Sequence, residues 1–73
     1  MAKTVIMNGT VKTMPMMDGK NCGFFLGNMP IKVYSPTLVD SVMKYIKKGM
    51  KVRMACRLSD IFCIAEHIEI HRS

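Results

Sequence analysis

SPTLVDSVMKYIKKGMKVRMACRL, residues 35–58, changes its hydrophobic period halfway along. In its first half Leu38, Val39, Val42, Met43 and Ile46 recur every three or four residues, which lays one apolar stripe along a helix. Ser35 is a suitable N-cap, and Pro36 fits the first helical position because the N–H it lacks has no partner there. Gly49 stands where a left-handed residue would end the helix. The spacing therefore predicts a helix over 36–48, with Lys44, Lys47 and Lys48 near its negative end. After Gly49 the period falls to two. Met50, Val52, Met54, Cys56 and Leu58 alternate with Lys51, Arg53, Ala55 and Arg57, as on a strand with one buried face. The handover from helix to strand is also a basic corner with no acid in residues 45–58.

Upstream, KTVIMNGTVKTM (3–14) reads as one long strand. Val5 and Met7 share a side, Val11 and Thr13 continue it, and Gly9 between them predicts a bulge or a sharp bend. Pro15 breaks pairing, and Asp18-Gly19 is a strong hairpin signal. CGFFLGN (22–28) is a second strand with Phe24 and Leu26 on one face and Gly23, Phe25 and Gly27 on the other. A turn over 28–30 leads into IKVY (31–34), with Ile31 and Val33 inward and Lys32 and Tyr34 outward. Downstream, Ser59-Asp60 makes a turn into IFCIAEHIEI (61–70). There Phe62, Ile64, Ile68 and Ile70 share one parity, and Glu66 breaks the row where a bulge or an open barrel end is needed.

Five strands with one helix between the third and fourth predict an all-β OB-fold, a Greek-key barrel with the helix plugging one end. An SH3-like barrel has no need of a three-turn amphipathic helix there. The expected core is Val5, Val11, Phe24, Leu26, Ile31, Val33, Leu38, Val42, Ile46, Val52, Met54, Leu58, Ile64 and Ile68, with Met43 and Met50 as fillers.

The 73 residues are read as one domain, 1–73, with a core thin enough that a second copy would help it. No apolar run approaches the roughly 20 residues of a membrane span, and the N-terminus does not read as a signal peptide, so a cytoplasmic protein is expected. The formal charge of +6 favours an acidic partner, most commonly nucleic acid. Cys22, Cys56 and Cys63 are an odd set without a C-x-x-C pair, which argues for buried thiols over disulfides or a zinc knuckle. Cys63, His67 and His71 share strand parity, yet residues four apart on a strand lie about 13 Å from each other, so no metal site is expected. There is no Gly-rich phosphate loop, no pair of carboxylates in one stretch, and no nucleophile with its base. The sequence reads as a binding protein rather than an enzyme, with no cofactor implied.

VIMNGTV, DGKNCGFFLG, LVDSVMKYIKKGMKVRMACRL and IAEHIEI, in that order, resemble the bacterial single-stranded DNA-binding proteins, whose relatives include primosomal replication protein N. Gly9, Asp18-Gly19, Phe24-Phe25-Leu26, residues 45–49 and residues 52–58 fall on motif positions of that family. The resemblance covers most of the chain. It implies the same barrel, a single-stranded DNA partner, and association through the first strand. It also implies work in DNA replication or recombination, here in a pruned form that suits a phage or plasmid. The family stacks bases on several aromatic residues, mostly tryptophan; this chain has no tryptophan, and Tyr34 alone falls on a stacking position. The family's long hairpin between the fourth and fifth strands is reduced to Ser59-Asp60.

The expected nucleic-acid-binding residues are Lys12, Lys20, Phe25, Lys32 and Tyr34, since aromatic faces among lysines stack bases while ammonium groups meet phosphates. Lys44, Lys47, Lys48, Lys51, Arg53 and Arg57 form a secondary basic zone that reads first as a solvated outer face, and behind that as an auxiliary track for nucleic acid or a protein interface. Met14, Met16 and Met17 flank Pro15 in the first loop and suit an adaptable protein contact. Two functions follow: a minimal, sequence-tolerant binder of single-stranded DNA (RNA being an alternative ligand), or a protein-interaction barrel that has lost DNA and modulates a host replication or defence protein. A homodimer is expected in either case, through residues 3–8 or the outer face of the last two strands.

Overall fold

The structure is a computed structural model that describes residues 3–59 and 61–70. Along the chain run β1 (Thr4–Thr10), β2 (Met16–Asp18), β3 (Asn21–Leu26), β4 (Met29–Val33), α1 (Pro36–Tyr45), β5 (Lys51–Leu58) and β6 (Cys63–Ile70). The strands lie in the order β1-β5-β6-β4-β3-β2, antiparallel except where β4 meets β6 in parallel at Ile31–Cys63 and Lys32–Ile64. Just past β1 the sheet closes on itself. Val11 bridges Leu26, Lys12 N–H donates to the Phe25 carbonyl at 2.8 Å, and Gly27 N–H donates to the Thr10 carbonyl at 3.1 Å. One continuous segment thus serves both β5 and β3, and β1, β5, β6, β4 and β3 form a barrel.

These five are the strands the sequence predicts. β2 is a sixth, laid on the outside of β3, where a loop is expected. Its three residues are too few to show a period, and its pairing follows from the hairpin turn at Gly19, whose φ of 65° needs no side chain. The β3–β4 turn is Gly27-Asn28 rather than 28–30, so Pro30 lies within β4 opposite Phe25. Its missing N–H is tolerated because β6 joins β4 only beyond it, at Ile31 and Lys32. Gly9 makes no bulge, since the β1–β5 register is unbroken through Gly9–Val52. It is glycine because β1 passes under Leu26: a Cβ there would stand 3.1 Å from the Leu26 Cγ.

The helix begins at Pro36 as expected but stops at Tyr45, short of residue 48. Ile46 N–H still donates to the Val42 carbonyl at 2.9 Å, while its own backbone is already extended (φ −83°, ψ 128°) and its side chain is 2% exposed. Burying Ile46 in the barrel takes the chain out of the helix. Gly49 is therefore no helix cap. With φ 94° it turns the chain into β5, and its N–H donates to the Val11 carbonyl at 2.7 Å. Lys47 and Lys48 lie beyond the helix, leaving Lys44 alone in its last turn. Ser35 sits at the N-cap without a side-chain bond; only its carbonyl takes part, accepting Val39 N–H at 2.8 Å.

The core, apolar throughout among the described residues, contains Val11, Phe24, Leu26, Ile31, Val33, Val42, Ile46, Val52 and Met54 as expected. Val5, Leu38 and Ile68 are only partly buried against it, Met43 is exposed, and Leu58, the last residue of β5, is 47% exposed. β6 corrects the expected parity. Ala55 faces His67 and Cys56 faces Ala65, so Glu66 is an extra residue, the bulge its position in the row suggested. Before it Cys63 and Ala65 point inward in place of Phe62 and Ile64; after it Ile68 and Ile70 do. The turn before β6 is held by Ser59 N–H donating to the Phe62 carbonyl at 2.9 Å, and Asp60 lies outside the described residues.

Candidate nucleic-acid interface

On the outer face of β2, β3 and β4, strand registry fixes who stands beside whom. Met16, Gly23 and Lys32 form one cross-strand row; Asp18 and Asn21 form the row on one side of it; Phe25 and Pro30 form the row on the other. Gly23 is therefore the centre of the face, and its missing side chain leaves a depression. The Lys32 side chain folds over it, its Nζ 3.9 Å from where a Cβ of residue 23 would be. That Cβ would also stand 2.9 Å from the Ile31 carbonyl oxygen, so alanine would push the β3 and β4 backbones apart. The result is an open groove of about 400 Å³ walled by Thr13, Met14, Met16, Met17, Phe25 and Lys32, with Asp18 at its edge. The wall is pinned by Phe25 N–H donating to Thr13 Oγ1 at 3.0 Å.

Of the five expected binding residues, the structure brings Phe25 and Lys32 together in this groove. Phe25 is 43% exposed. Tyr34, equally exposed, follows β4 on the parity of Lys32 but does not line the groove. Lys12 is nearer the β3–β4 turn, its Nζ 3.5 Å from Asn28 Oδ1, and Lys20 is in the β2–β3 turn. The three methionines of the first loop are exposed and line the same groove, so this face carries both of the surfaces the sequence suggested separately. Thr13, Asp18 and Gly23 were not expected to belong. For Gly23 the signal was present, since alternation puts it on the face of Phe25; for Asp18 it was hidden by the unrecognised β2.

The secondary basic zone is a different wall. Lys51, Arg53 and Arg57 stand on the outside of β5 opposite Thr10, Asn8 and Thr4 of β1. Lys44 lies over the Tyr45 ring, 5.5 Å from its centroid. Lys47 and Lys48 use their backbones, donating to Met50 Sδ at 3.1 Å and Met14 Sδ at 3.2 Å. The second of these ties the basic corner to the groove's own loop.

All three thiols are buried. Burial pushes the Cys56 thiol up to about 11, with Cys63 and Glu66 adding to the rise, and burial raises Cys22 as well. Cys56 and Cys22 thus stay protonated at neutral pH and are neither nucleophiles nor ready metal ligands. The Glu66 bulge also separates Cys63, which points inward, from His67, which is exposed with its Nε2 3.7 Å from Glu69 Oε1. They do not share a face after all. His71 lies outside the described residues.

No family model matches this sequence, and no curated protein does. Solved structures do. A crystal structure of Rim1, the mitochondrial single-stranded DNA binding protein of S. cerevisiae, superposes with a TM-score of 0.85 over 94% of this chain and 93% of that one, at 11% identity. It is an OB-fold. A selenomethionine-labelled structure of Rim1 gives a TM-score of 0.82 over 94% of each chain at 9% identity. At such identities what is shared is the fold, the OB-fold of these single-stranded DNA-binding proteins. No helix among the described residues is long and apolar enough to cross a membrane.

Proposed function

We propose that this protein is a non-enzymatic binder of single-stranded DNA, tolerant of sequence, that lays the strand across the outer face of β2, β3 and β4. The observation that carries the reading is the exposed Phe25 beside the Lys32 ammonium, with Tyr34 further along the same face of a barrel that Rim1 shares. OB-folds present oligonucleotides to this pair of central strands and the loop that precedes them. Stacking is indifferent to base identity because every base has a π-face, and the lysines supply phosphate contacts. Lys12 and Lys20, at the two turns bordering the face, are placed to follow the backbone as it enters and leaves. Replication or recombination, in a phage, plasmid or cell, is the setting such an activity serves, and the cytoplasm its expected place.

Titration of a fluorescent oligothymidine at increasing salt tests the reading. Released counterions make affinity fall steeply with salt, by a logarithmic slope of about 0.7 per phosphate contact on a single strand. Lys32→Ala should flatten that slope by roughly 0.7 while leaving the thermal midpoint in place, since its ammonium is outside the core. Absence of binding at low salt would remove the proposal.

The same face supports a second reading through its exposed methionines. Met14, Met16 and Met17 give the groove an adaptable apolar wall that a protein partner could use instead of a base. Failure to bind any oligonucleotide would favour it. In both readings we expect a homodimer: β1 is the last strand of the sheet order, and the backbone groups on the outer edge of Thr4–Asn8 face no other strand among the described residues. Light scattering at high micromolar concentration should report twice the 8.3 kDa chain mass; a monomer there would overturn the expectation.

A further inference from the structure

A carboxylate on a surface that meets phosphates is out of place unless it meets something else. Asp18 stands at the edge of the groove, and no lysine or arginine among the described residues lies within 4.0 Å of it. Turn chemistry explains a small polar residue there, but asparagine would serve the hairpin as well without repelling DNA. Lys32, whose side chain folds over the Gly23 depression, is also without a carboxylate partner among the described residues. Asp18 on β2 is one row along from Gly23, and the Lys32 ammonium reaches back from β4 to stand over Gly23, so the carboxylate and the ammonium line one groove from neighbouring rows. Phe25 offers a ring on one side of the groove and Met16 a thioether on another.

We propose that this groove seats a single nucleobase of the bound strand and prefers guanine. The inference rests on the single-stranded DNA reading above and refines it: stacking is tolerant along the strand, with one discriminating position. Guanine alone presents two adjacent donors, N1–H and the N2 amine, which a carboxylate accepts side by side. Its O6 acceptor stands next to N1, with N7 beyond it on the adjoining edge, where a lysine ammonium is a common partner. Unstacked bases on single strands are read in this manner, by their edges. The ammonium has three donors, so Lys32 can hold O6 and still meet a phosphate. Thymine turns carbonyl oxygens toward Asp18 on both sides of its one N–H and is the poorest fit.

The test compares oligothymidine with the same oligomer carrying one central guanine, inosine or adenine; a single guanine forms no folded structure of its own. The guanine oligomer should bind about tenfold more tightly than oligothymidine, the scale of one two-bonded base contact. Inosine, lacking the N2 amine, should keep only part of that gain, and adenine less still. Asp18→Asn, which preserves the turn, should bind oligothymidine at least as well as the parent and lose the guanine preference. Equal affinity for guanine and thymine oligomers, an advantage shared by adenine, or a preference that survives Asp18→Asn would each overturn this inference while leaving the binding function standing. If oligothymidine itself does not bind, the function and the inference fall together.

Discussion

Phe24→Ala is expected to cost about 3–5 kcal/mol of stability, the range for deleting a buried phenyl ring. Phe24 is 4% exposed and is the one aromatic side chain among the buried residues of the barrel. At about 0.05–0.15 kcal/mol per residue, a chain of this length holds on the order of 4–11 kcal/mol in total, so the substitution removes a large share of it. The adjacent Phe25→Ala supplies the comparison. Its ring is on the outer face, and its backbone bonds to Thr13 and Lys12 do not need it. Urea denaturation followed by circular dichroism should show Phe25→Ala close to the parent and Phe24→Ala far below it. The reverse ranking would mean that β3 is out of phase, and the groove built on Gly23 and Phe25 would be lost with it.

Tyr34→Ala should weaken single-stranded DNA binding by about 1–3 kcal/mol, the worth of one base stacked on an aromatic ring. The phenol is exposed and outside the groove, so the loss should come without a change in melting temperature. Replacing Arg53 and Arg57 together provides the contrast. They stand on the β1–β5 wall, away from β2, β3 and β4, and their loss should matter less than that of Tyr34 at moderate salt. Should the arginine pair dominate, DNA runs along the basic zone instead, and the aromatic face becomes the candidate for a protein partner through its methionines.

What could be read in advance divides along physical lines. The start of α1, the phase of β3 and the alternation of β5 come from runs long enough for a period to show and bounded by proline, glycine or a turn. Phe25, Lys32 and Tyr34 follow from that alternation as outward residues. The end of α1 did not follow, because the pull of the core on Ile46 outweighs the local signal of Gly49. The front of β6 did not follow either: Phe62 and Ile64 are more hydrophobic than Cys63 and Ala65, yet the small pair fits inside where β6 runs against β4. β2 was invisible for lack of length, and with it the rows that place Asp18, Met16 and Gly23 on one surface. A site assembled by registry between strands is legible only once the pairing is known.

The extra residue in β6 has a consequence for how such a chain can change length. Ahead of Glu66 the inward residues fall at 63 and 65; behind it they fall at 68 and 70, so the segment carries two opposite reading phases joined at one position. Removing Glu66 would join the two phases into one unbroken alternation, with Cys63, Ala65, Ile68 and Ile70 still inward and His67 and Glu69 still outward. Inserting one more residue there would likewise restore alternation without turning any inward residue out, whereas a single insertion or deletion elsewhere in the strand would turn one stretch of it inside out. In descent, then, this strand can change length by a single residue at Glu66, and elsewhere only in even steps.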